Sequence, residues 1–289
     1  MISRIFSFFF LGALALACGP TDTAPADSGS PAASCPSGRG PTMVRVPLAN
    51  NRSVCIDTTE VTRAQYAAFV SDSNGHDQGT RLDACGKAPF RDDPDAACSQ
   101  QAVVCKGDCA AHPQVCVTHC NAQAFCAWAG KRLCSTVKGV TPDAIALGDA
   151  RVAEWIAACG NGAGTEGDPR TIFPYGSSLD SAKCNTDGHT PTGCAVSPGS
   201  CGTLPTGSLQ GCRGEGASDK VFDMSGNVHE WMGLTDESAK SPVPRAQFRG
   251  GSFSKSLFDP SGDFACVTSG GSAAIDLPVA DIGIRCCAD

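Results

Sequence analysis

Cysteine is the residue type with the most chemistry to offer in this chain of 289 residues, which carries nineteen. Cys18 stands apart near the N-terminus, and the other eighteen run from Cys35 to Cys287. An even number of thiols in a chain that leaves the cytoplasm argues for up to nine disulfides. The competing chemistry is a thiolate metal cluster, with Cys105-x3-Cys109 and Cys116-x3-Cys120 as its best material. No CxxC pair occurs, and extracellular thiols tend to oxidise, so crosslinking is the expectation. Histidine offers less. The five histidines contain no i,i+4 pair and no HExxH, so His119 and His229 read as packed or surface residues rather than a metal pair.

The first residues explain why the thiols should be oxidised. Arg4 precedes an apolar run of 13 residues, Ile5–Ala17, too short and too abruptly ended for a spanning helix. Residues 1–17 therefore read as a signal peptide. Ala15-Leu16-Ala17-Cys18 resembles a bacterial lipobox in which Cys18 would be lipidated; an ordinary secretory cleavage nearby is the alternative. Residues 18–34 carry that cysteine and a Pro/Ala/Ser/Asp-rich tether without apolar periodicity. Both readings place the chain outside the cytoplasm, in the cell envelope, with a lipid-anchored lipoprotein preferred. Residues 35–289 remain for one large domain, since no second linker of this composition appears. Without Arg4 the chain has 21 basic against 29 acidic side chains, and no basic run, which argues against nucleic acid.

The elements that must position any site are few. Val44–Leu48 and Ser53–Asp57 alternate like short strands. Thr62 and Gln65 form a capping-box pattern before the helix Arg63–Val70. Residues 74–111, rich in Gly, Asp, Pro and Cys, read as a disulfide-stapled irregular insertion. The helix His119–Ala129 has Thr118 as N-cap, Gly130 as stop, and Ala122, Phe125, Cys126 and Ala129 on one buried stripe. Helical spacing resumes at Ala153–Cys159, and residues 160–212 are Gly/Pro/Cys-dense loop. The expected class is α+β with much ordered coil held by crosslinks.

Six strings in order then resemble the formylglycine-generating enzyme, or sulfatase-modifying factor, family. They are EVTRAQYAAFV (60–70), PQVCVTHCNAQAFCAWAGKRL (113–133), AEW (153–155), FDMSGNVHEW (222–231), FRGGS (248–252) and GIRC (283–286). Together they span some 230 residues, with an insertion expected over residues 136–152. The resemblance implies a modified C-type-lectin-like fold, coil-rich and disulfide-stapled, and two long-range disulfides, Cys126–Cys286 and Cys159–Cys266. It also implies a calcium site at Asp223, Gly226, Val228 and Glu230, where two carboxylates and two backbone carbonyls offer hard oxygen ligands; the alternative is that the carboxylates only brace the turn. The family's other calcium site keeps Asn185 and Thr186 at most. His119 and His229 replace aromatic residues usual in the family.

The same resemblance implies copper chemistry and then withholds it. In the active enzymes two cysteines after the GGS step bind copper(I) and oxidise a substrate cysteine, and soft thiolates suit that ion. Here the first position is Lys255 and the second Pro260 or Ser261. None of these is a thiolate, so copper is not expected, and a rescue would need Cys287 or Cys266 unpaired. The sequence thus leads to a lipid-anchored, non-catalytic binding or structural module with an envelope protein or glycan as partner. An oxidoreductase acting on a protein or small-molecule thiol is the alternative, and lectin-like sugar binding a weaker one that rests on fold analogy.

Overall fold

Strands β1 (Met43–Pro47) and β2 (Ser53–Asp57) form an antiparallel hairpin with Val44, Val46, Val54 and Ile56 as cross-strand partners. Pro47 is tolerated because β1 is the sheet's edge, where a missing N–H breaks no ladder. The computed structural model from which these elements are read describes residues 34–72, 85, 98, 105, 107–140, 146–164, 168–197, 200–236, 244–254 and 263–289. Cys18, Lys255, Pro260 and Ser261 lie outside them, as does most of the expected insertion over residues 74–111.

Helix α1 (Arg63–Ser71) starts at a complete capping box. Thr62 Oγ1 accepts from Gln65 N, and Gln65 Oε1 accepts from Thr62 N. Helix α2 (His119–Trp128) is capped by Thr118, which accepts from Asn121 N, and Gly130 turns the chain away at φ 72°. Tyr66 and Phe69 of α1 meet Phe125 and Trp128 of α2 with ring centroids 5.5–6.1 Å apart. Helix α3 (Glu154–Cys159) is one residue shorter than its spacing predicts, because Ala153 is its extended N-cap, and all six residues are buried.

Two four-stranded sheets complete the α+β architecture. The first has the order β1-β2-β8-β3, with β3 at Arg132–Leu133 and β8 at Cys286–Ala288. The second has the order β6-β5-β4-β7, with β4 at His229–Asp236, β5 at Arg245–Arg249, β6 at Gly271–Ala274 and β7 at Ile282–Gly283. Most pairings are antiparallel, while β4 and β7 run parallel. Only Ile284 and Arg285 separate β7 from β8, so the GIRC string carries the chain from one sheet to the other. One core lies among α1, α2 and the second sheet; the other packs α3 against the first sheet.

Nine disulfides take up all eighteen cysteines from Cys35 onward: Cys35–Cys55, Cys85–Cys120, Cys98–Cys116, Cys105–Cys109, Cys126–Cys286, Cys134–Cys287, Cys159–Cys266, Cys184–Cys212 and Cys194–Cys201. The candidate thiolate cluster is thereby dissolved, since Cys105 and Cys109 bond each other while Cys116 and Cys120 bond elsewhere. Contacts gather Cys35–Asp289 into one unit.

Candidate functional site

The FDMSGNVHEW string turns sharply before it becomes β4. Asp223 and Asn227 adopt φ 59° and 58°, and Gly226 adopts φ 87°. A side chain at Gly226 would place its Cβ 2.6 Å from the Asn185 carbonyl oxygen, so only glycine fits this close approach. Asn227 is the hub of the turn. Its Nδ2 donates to Glu60 Oε2 and Leu204 O, while its Oδ1 accepts from Leu204 N and Asn185 Nδ2.

Glu230 points from β4 to the crossing between the sheets. Arg285 Nε donates to both its oxygens, at 2.8 and 3.0 Å, and Trp155 Nε1 donates to Oε2 at 2.6 Å. The same guanidinium donates to the carbonyls of Asp57 and Phe222, and it is fully buried. Asp223 accepts from Gly207 N and lies against Glu60, whose Oε1 has no donor among the described groups. Burial pushes Asp223 up to about 6, and burial together with the Asp223 charge pushes Glu60 well above the usual carboxylate range. Two carboxyls so placed bond each other only when they share a proton. Three acids and one arginine therefore form one buried network.

This network bears on the expected calcium site. The oxygens of Glu230 are engaged by Arg285 and Trp155, and Asp223 Oδ2 accepts from Gly207 N. Among the described residues no three His, Cys, Asp or Glu side chains converge as metal ligands. Of the residues expected to hold calcium, Asp223, Gly226, Val228 and Glu230, the carboxylate of Glu230 is paired with the Arg285 guanidinium in this arrangement. Asn185 is likewise committed, to Gly202, Thr192 and Asn227.

The FRGGS string ends β5. Arg249 is buried on three carbonyls, those of Leu147, Val267 and Thr268, and burial lowers it to about 10. Gly251 lies at φ 70° with the Phe264 ring 2.2 Å from where a Cβ would stand, so the step is a close-packed turn. Ser252 Oγ donates to Asp281 Oδ2 at 2.8 Å, and His229 Nδ1 lies 3.6 Å from the same oxygen. Burial pushes the Asp281 carboxyl up, but His229 and Ser252 together hold it below its ordinary range. His119 is held elsewhere, by Met232 O at 2.9 Å, and burial lowers it to about 4. Trp231 and Phe248 stand edge to face between the two histidines, so these do not form a metal pair.

Cys126 is brought to Cys286 and Cys159 to Cys266, each pair tying a central helix to the C-terminal segment. The candidate rescue thiols are both oxidised, Cys266 with Cys159 and Cys287 with Cys134. The residues that sequence spacing did not reveal are Glu60, Trp155, Asn227 and Asp281, with Arg285 as the centre. Each sat inside a recognised string or beside one, but partners such as Glu60 and Asn227 stand 167 positions apart.

Among solved structures the chain resembles one described as CarF, at 19% identity over 85% of this chain and 97% of that one, with a TM-score of 0.51. PvdO from Pseudomonas aeruginosa follows at 17% identity, 85% and 89% coverage and TM-score 0.49. Treponema denticola variable protein 1 gives 16%, 86% and 93%, and 0.45. No curated protein matches. The profile of the "Sulfatase-modifying factor enzyme 1-like domain" matches residues 46–289. With that match covering most of its length, the chain belongs to the sulfatase-modifying factor (formylglycine-generating enzyme) family.

Proposed function

We propose that the chain is a lipid-anchored envelope protein, attached through Cys18, whose domain is a non-catalytic binding or structural module. The carrying observation is the state of the thiols. All eighteen cysteines beyond Cys18 are in disulfides, so no thiolate pair remains for copper(I), and the two positions after GGS hold Lys255 and Pro260 or Ser261. Nine disulfides also belong to an oxidising compartment, in keeping with the leader and tether. What stays at the emptied centre is a braced turn. Ser252 is bound to Asp281, His229 sits beside that carboxylate, and Gly251 packs against Phe264. These groups support a scaffold role, and the partner of the proposed module is an envelope protein or glycan.

The test is a copper(I) titration of the oxidised protein, paired with mass spectrometry of a sulfatase-type CxPxR peptide incubated with it. The expected result is no copper binding at micromolar protein and an unchanged peptide. Conversion of the peptide cysteine to formylglycine overturns the reading in favour of a thiol oxidoreductase.

A further inference from the structure

We draw no further inference here: the strongest candidate, the cavity of about 200 Å³ between the turn after β1, residues 161–164 and the side chains of Arg151 and Arg170, carries nothing, because Arg151 is already paired with Asp149, Arg170 is exposed, and nothing in the structure shows what would fill it.

Discussion

At the scale of single residues, the molecule is governed by charges that have left water. Among the described residues Arg285 is the one cation facing Glu230, Asp223 and Glu60. Removing it strands those carboxylates in the interior, and breaking a buried pair from one side costs about 3–5 kcal/mol. Arg285→Met should therefore lower the unfolding free energy measured by urea denaturation by that amount, and adding Glu230→Gln should restore part of the loss. Strictly additive costs in the double variant would show that the two side chains are not coupled. Because the Arg285 guanidinium balances Glu230 from inside the fold, chelation with EGTA should leave the melting temperature of the native chain unchanged; a fall reversed by calcium would sink the charge-balance argument. His119 gives the pH dependence. Its folded value is about 4 against 6.5 in the unfolded chain, so only the unfolded state binds the proton between them. Stability from this residue is complete above pH 6.5 and is lost as pH falls toward 4. Asp57 and Asp223 act oppositely: both are raised from 3.8 to about 6 by burial, and the folded state gains as pH falls through 6. A His119→Phe chain should thus gain about 2–3 kcal/mol relative to the native chain between pH 7.5 and 4.5. Parallel urea midpoints at the two pH values would refute the assignment.

At the scale of elements, what could be read from sequence was what depends on near neighbours. The capping box of α1, the Thr118 cap of α2, the stripe Ala122, Phe125, Cys126 and Ala129, and the strand Ser53–Asp57 all involve residues a few positions apart. Periodicity and capping chemistry are local, so they survive without tertiary information. The family strings added order, and with it the candidate positions Asp223 and Glu230. What stayed hidden was the direction those carboxylates face, because Arg285 reaches Glu230 across 55 positions and Asp57 across 228. The pairing Cys134–Cys287 was hidden for the same reason. It matters for how β8 is held, since Cys286 and Cys287 are adjacent and bond to Cys126 and Cys134 on either side of β3. Either bond alone closes a loop of over 150 residues and stabilises by about 5 kcal/mol in the chain-entropy model. Once one is in place, the other closes a ring of only about ten residues and adds about 3 kcal/mol. Replacing Cys134 and Cys287 by alanine should therefore cost about 3 kcal/mol, as should replacing Cys126 and Cys286, while removing both bonds costs more than the sum. Additive losses by denaturant unfolding would contradict this nested arrangement.

At the scale of the whole molecule, the described residues form two small sheets and three short α-helices, and nine crosslinks tie together the coil between them. They do not contribute equally. Cys105–Cys109 and Cys194–Cys201 span only 4 and 7 positions, so they constrain the unfolded chain least, and all four of these cysteines are partly exposed. Cys126–Cys286, Cys134–Cys287 and Cys159–Cys266 span 160, 153 and 107 positions with all six sulfurs inside the two cores. A reductant reaches a disulfide by in-line approach of a thiolate, so access orders the sequence of opening and loop length orders its consequence. Mild reduction followed by alkylation and peptide mapping should label Cys105, Cys109, Cys194 and Cys201 first. At that stage the unfolding transition should stay cooperative, with its midpoint lowered by a few degrees at most. Labelling of Cys126, Cys159 or Cys286 should appear only together with loss of the folded signal. Early labelling of the buried sulfurs in a chain that still unfolds cooperatively would mean that packing, and not the long crosslinks, keeps the two sheets together.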